Sequence, residues 1–437
     1  MVAPVSNRGS KLAALAVALV ASGAWACFDG LGTIGAFCFA DSQCGTDQRC
    51  VNSICGLCRD QQVQAGELCF GNSSEENVFG EVSDLVAFDP EGDGFPLLTA
   101  VVNNNCLPLP MMGPPTAGGP TCWGLYILAI DDDGDFETLT PLGTNQDGRV
   151  PQMATGNFDG NGEFDVAIAI SPNDPLIDAS QVAILHDFPS PQSLNVDVSV
   201  IPRTLHAADL DGDGLDDLII GGEISSSLAL LIATPGVGFE AERLLVTDLT
   251  PRPAPPVDMD NDGDLDIVLL SEMNGTVGVN LNNGAANFAS SPRQTIGADL
   301  LASDLATGDW DGDGVLDVVV FAPAKPSGTA QSQVILYRGL GNGELEELMR
   351  LPGGEFPISG LFEDINLDGQ ADIVIADVGE DKLPVYINRG DDPPDQVEID
   401  VAAAPRTLMR ADFDFDDIPD LVVGNANGVI AVVPSEN

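Results

Sequence analysis

Six acidic nine-residue segments carry the most specific chemistry in this chain: NFDGNGEFD (157–165), DLDGDGLDD (209–217), DMDNDGDLD (258–266), DWDGDGVLD (309–317), DINLDGQAD (364–372) and DFDFDDIPD (412–420). Each puts an oxygen-bearing side chain at its first, third, fifth and ninth positions. In five of the six, a Gly at the sixth lets the backbone turn back on itself. That donor set suits a hard divalent cation. Calcium accepts six to eight oxygens in flexible geometry, magnesium demands a tight octahedron, and zinc prefers His and Cys. The expected ion is calcium, at up to six sites, completed by the backbone carbonyl of position seven.

The loops are unequally furnished. Four carboxylates stand at Asp209, Asp211, Asp213 and Asp217, at Asp258, Asp260, Asp262 and Asp266, and at Asp309, Asp311, Asp313 and Asp317. Asp364, Asn366, Asp368 and Asp372 carry three charges, whereas Asn157, Asp159, Asn161 and Asp165 carry two and should bind more weakly. Asp412, Asp414, Asp416 and Asp420 keep the charge, but Asp417 takes the place of the Gly. A degenerate copy, FDPEGDGFPL (88–97), has Leu97 where the last ligand belongs and is expected to be empty. Turn chemistry alone favours Asp and Gly, yet it does not require oxygen at every second position in six copies. An EF-hand would need a Glu at position 12, where Ile220, Leu269 and Val320 stand. Two carboxylates about 4 Å apart repel by roughly 4 kcal/mol at an effective dielectric near 20. The ion should therefore be structural, coupling loop closure to folding.

The loops begin 48 to 55 residues apart, the mark of a repeat architecture. After each comes a short run rich in Val, Ile and Leu (VAIAI, LII, IVLL, VVVF, IVIA, LVV), bounded by Gly and Pro, which reads as a buried strand. A second strand follows, as in VAILH (182–186) or VILYR (334–338). A more polar third, such as QVEIDV (396–401), leads to the segment entering the next loop, such as RTLHAA (203–208). Four antiparallel strands per repeat describe a propeller blade, and radial closure hides the edges. Counting the degenerate copy, the expectation is an all-β, seven-bladed β-propeller of four-stranded blades over 77–437. NVFGEV (77–82) is expected to supply the outer strand that the last repeat lacks.

The string ADLDGDGLDDLII (208–220) resembles the FG-GAP or VCBS repeat of integrin α-subunit propellers and of bacterial surface proteins. The resemblance covers about residues 77–437. It implies a calcium-stabilised seven-bladed propeller used mostly for adhesion or recognition, with some members acting as lectins and others attached to enzymes.

Residues 1–26 read as a secretory signal, Arg8 and Lys11 preceding the apolar LAALAVALVASGAWA. Cys27 follows at once, as the lipidated residue of a bacterial lipoprotein would, and removing it from nine Cys leaves an even eight. Residues 27–76 form a Cys-rich segment (Cys38, Cys44, Cys50, Cys55, Cys58, Cys69) with little to bury, for which disulfides are expected. A further disulfide, Cys106 to Cys122, is expected to clamp a Pro/Gly-rich loop. The expected location is the outer membrane or cell surface, or the exterior, with membrane attachment only through the lipid.

A formal net charge of −52 argues against binding nucleic acid. The chain has two His, His186 and His206, and neither G-x-S-x-G nor a phosphate-cradling Gly-rich loop. The sequence reading is thus a non-enzyme: a monomeric, non-catalytic binding or adhesion module for a protein or glycan at the cell surface. The alternatives are a calcium-dependent lectin with pockets between blades, disfavoured by the scarcity of aromatics (Trp123, Trp310 and three Tyr), and a lyase or hydrolase of acidic polysaccharide.

Overall fold

The computed structural model is built of β-strands, and no helix among the described residues is long and apolar enough to cross a membrane. Description covers 192–433 apart from 237, 327–328, 367, 391, 402–403 and 413–418, together with 49–51, 54–56, 74–77, 81–88, 97–104, 122–130, 136–141, 146–147, 152–162, 165–170 and 180–186. The signal segment 1–26, Cys27, Cys106, Asp414, Asp416 and the degenerate loop at 89–96 lie outside it, as does the Cys122 side chain.

The apolar runs become strands because both of their faces are covered. In Asp317–Ala322, Val318, Val320 and Ala322 pack with Val268, Leu270, Val277 and Val279 of the preceding sheet, while Val319 and Phe321 pack with Ile373, Ile375 and Tyr386 of the following one. Successive side chains of a strand point to opposite faces, so a strand sandwiched between two sheets must be apolar throughout. Each fully buried Val or Leu contributes about 1.5–3 kcal/mol. The outermost strands obey no such rule: Leu345–Pro352 and Asp392–Asp400 are largely exposed and polar.

The sheets are antiparallel meanders whose first strands neighbour one another around a central axis, as Gln152–Gly156 does Pro202–Ala208 and Pro405–Ala411 does Glu81–Phe88. This is a β-propeller, but the expected seven four-stranded blades need correction. Six blades are each built from one continuous stretch of chain: 81–147, 152–198, 202–246, 251–295, 304–352 and 357–400. Those at 81–147 and 251–295 carry a fifth strand. The last repeat makes no such blade. It contributes Pro405–Ala411, Asp420–Asn425 and Val429–Val433, and its sheet is completed by Ser74–Asn77, with Ser74 opposite Val432 and Asn77 opposite Val429.

The closing strand is therefore not 77–82. Residues 81–88 open the first blade instead, because Val82 and Leu85 are needed in the core shared with Val422, Ile430 and Val432. The disulfide-rich N-terminal segment also needs correction, since no disulfide forms among the described residues. Cys50 and Cys55 lie opposite each other in a hairpin, Arg49–Val51 with Ile54–Gly56, held by backbone pairing.

Candidate functional site

Each acidic loop is the turn between the first and second strands of a sheet, and its ninth residue opens the second strand or bridges just before it. Those ninth residues, Asp165, Asp217, Asp266, Asp317, Asp372 and Asp420, are at most 1% exposed. Their carboxylates have structural work. One oxygen accepts the backbone N–H of the loop's second residue: Phe158, Leu210, Met259, Trp310 or Ile365. The other oxygen, in four loops, accepts an N–H at the end of the third strand, from Ala233, Asn282, Gly339 and Asn388 at 2.7–2.9 Å. One buried carboxylate thus fastens three strands.

Position one is a turn organiser as well. Asp209 accepts N–H from Gly212 and Gly214, Asp309 from Gly312 and Gly314, Asp258 from Asp262 and Gly263, and Asp364 from Asp368 and Gly369. The chain needs a left-handed backbone twice, at position six (Gly214, φ 89°) and at position four, where Gly160, Gly212, Asn261 and Gly312 all have positive φ. Gly and Asn adopt that conformation most readily.

Position three differs. Oδ1 of Asp211 and of Asp260 is buried and has no hydrogen-bond partner. Burial, then repulsion from Asp213 or Asp262, raises both carboxyls above their ordinary range. Among the described residues, four groups of potential ligands lie within 4.8 Å: Asp209, Asp211 and Asp217; Asp258, Asp260 and Asp262; Asp309, Asp311 and Asp317; and Asp159, Asp165 and His186. The loops at 364–372 and 412–420 form no such group among the described residues. An orphaned buried carboxylate oxygen beside two more carboxylates fits a hard divalent cation.

Two participants escaped the sequence reading. His186 ends the third strand of its blade with Nδ1 3.1 Å from Asp165 and 3.8 Å from Asp159, bringing a nitrogen to the most charge-poor loop. Arg338, one position before Gly339, pairs with Asp311, so the fully furnished loop 309–317 already has a cation of its own. Both fall opposite the ninth Asp across the sheet, a register visible only once strands are paired. Consecutive loops are also tied together: Asn282 Nδ2 donates to Leu210 O, Asn388 Nδ2 to Trp310 O, and Asn157 N to Asp216 Oδ2.

Residues 258–320 match the FG-GAP-like repeat. No curated protein matches the chain by sequence. Among solved structures, the periplasmic gluconolactonase PpgL of Pseudomonas aeruginosa is 14% identical, with a TM-score of 0.52 over 80% of this chain and 96% of that one. BBS1N, solved in complex with ARL6DN, is 12% identical, with a TM-score of 0.55 over 84% of this chain and 97% of that one. At such identities the likeness carries the fold alone. It nevertheless corrects the expectation of a non-enzyme, because a lactonase stands among the proteins of this fold, and a ring whose first strands enclose ionisable groups can host catalysis without any short sequence motif. Repeat and fold agree: this chain is a β-propeller bearing an FG-GAP-like repeat.

Proposed function

We propose that the protein is a calcium-stabilised propeller, exported and anchored at the cell surface through a lipid on Cys27, that serves as a monomeric recognition module for a surface protein or glycan. The observation that carries the calcium reading is the pair of orphaned buried oxygens, Asp211 Oδ1 and Asp260 Oδ1, each among carboxylates already turned inward by the loop backbone. A cation there offsets the burial and the mutual repulsion that raise these groups. The recognition reading draws its support from the FG-GAP-like repeat.

Thermal unfolding with excess calcium and with chelator tests the first part. A ligand that binds the folded state at 100 times its Kd stabilises by about 2.7 kcal/mol per site, so the midpoint should rise by several degrees. An unchanged midpoint refutes calcium stabilisation. Mass spectrometry of the mature N-terminus tests the anchor, which predicts a chain starting at a diacylated Cys27.

A further inference from the structure

Three blades or sheets open their first strand with the same kind of tripeptide: Pro202-Arg203-Thr204, Pro251-Arg252-Pro253 and Pro405-Arg406-Thr407. In the first and last, the ladder slips by one residue at the Arg, a β-bulge. Bulges re-aim a side chain out of the regular alternation. All three arginines line one cavity of about 1250 Å³ where the first strands converge, although the whole chain has only 16 basic residues against a net charge of −52.

The cavity wall is a chain of alternating charges. Arg203 pairs with Glu272; Arg252 lies 3.6 Å from the other oxygen of Glu272 and donates Nε–H to Asp304 at 2.8 Å. That chain spans the blades 202–246, 251–295 and 304–352. Beside it the hydroxyl of Thr204, whose residue is 5% exposed, is buried without a hydrogen-bond partner, and Glu272 Oε1 has only its long ion-pair contact to Arg252.

The rim is apolar by contrast. Ile224, Met273 and Phe356 are 79%, 72% and 39% exposed, and all three border the cavity. Ile224 stands at φ 57°, a conformation costly for a β-branched residue and one that concentrates at functional sites. Phe356 is fixed by its N–H to Asp377 at 2.7 Å.

We infer that this cavity binds a neutral oligosaccharide. Deepening the recognition reading, and resting on it, the assignment follows from three exclusions. The carboxylates on the wall outnumber its guanidiniums and repel an anion, yet Glu272 and Asp304 are held by arginines, Glu363 by Arg410 and Asp84 by two backbone N–H groups, which leaves a free cation little to bind; the polar wall refuses a purely apolar ligand; and the volume exceeds the roughly 300–1,000 Å³ of an ordinary small-molecule pocket. Hydroxyl groups, each a donor and an acceptor, can bridge guanidinium and carboxylate in turn. The C–H faces of sugar rings can lie on Met273 and Phe356 at the mouth.

Calcium-loaded protein should be titrated with cellotriose, maltotriose and N,N′,N″-triacetylchitotriose by calorimetry and saturation-transfer NMR. At least one is expected to bind, with affinity reduced about tenfold or more by Glu272→Gln and several-fold by Met273→Asp, a fully folded control because Met273 is exposed. Failure of all three sugars, or binding untouched by Met273→Asp and Glu272→Gln alike, overturns the assignment. A chelator melt on the same sample separates the cases: a calcium-dependent midpoint without sugar binding refutes the cavity assignment and leaves the calcium scaffold standing.

Discussion

Asn388 donates its side-chain amide to the backbone carbonyl of Trp310, 2.6 Å away and 78 residues earlier in the chain, and to that of Ala371 at 3.2 Å. The amide sits at the end of one blade's third strand and reaches into the acidic loop of the blade before it. Asn282 makes the same two contacts with Leu210 and Leu265. The side chains of Asn388 and Asn282 are therefore rivets between neighbouring loops.

Removing a rivet leaves buried carbonyls unsatisfied, which costs about 1–3 kcal/mol. Asn388→Ala should destabilise the protein by that amount in denaturant titration, with the loss persisting in saturating calcium. Full rescue by calcium would show the tie to be redundant.

The left-handed positions predict a graded series. A Cβ on Gly314 would meet nothing within 4 Å, so substitution there tests backbone conformation alone. Gly314→Ala should cost about 1–2 kcal/mol. Gly314→Asn should cost less, since Asn tolerates the left-handed region better than Ala, as Asn261 does at φ 58° in the neighbouring loop while its side chain donates to Gly314 O. Equal losses for both variants would contradict this.

Without metal, burial takes Asp217 and Asp372 up to about 7 and Asp266 and Asp317 up to about 6, hydrogen bonds from backbone N–H only partly opposing it. An unfolded Asp titrates near 3.9. Between these values the folded chain holds more protons than the unfolded one, so stability is greatest below the unfolded value and falls as pH rises through 6 to 7. Chelated protein should melt at a higher temperature at pH 5 than at pH 8, and calcium should close or reverse that gap. Identical midpoints for chelated protein at both pH values would refute the linkage.

Arg338 pairs with Asp311, so a calcium ion entering loop 309–317 would have to displace it. Arg338→Met should tighten calcium binding at loop 309–317 by up to about fivefold, as expected for the loss of one half-exposed ion pair. Terbium luminescence sensitised by Trp310, compared between wild type and variant, measures it; unchanged affinity would mean the pair opens freely.

The strands that could be read from the sequence were those pressed between two sheets, because double-sided burial writes an unbroken apolar run such as Val318 to Ala322. The loops were legible for a different reason: Asp and Gly recur at the same positions of a turn at a nearly constant spacing along the chain. What stayed hidden depends on register. His186 and Arg338 meet the loops only because they lie opposite Asp165 and Asp317 across a sheet, and no local pattern announces it. The second duty of the ninth Asp was invisible for the same reason, its partner N–H lying 16 or 22 residues away. The closing strand was misread because SEEN (74–77) occupies an outer edge, where nothing demands apolar residues, while the more apolar 81–88 was claimed by the inner ring.

That polar clasp has a topological consequence. Among the described residues, four, Ser74–Asn77, cover the edge of Val429–Val432 on the open side of the last sheet. Should they peel away, the bare edge could accept the same tetrapeptide from a second molecule through identical hydrogen bonds, in competition with its own tethered copy and so chiefly at high protein concentration. Reciprocal exchange would yield an intertwined pair and serial exchange a string of rings, in proportion to concentration. Shortening the chain past Asn77 would remove the insert altogether, turning a closed ring into one with a permanently sticky seam.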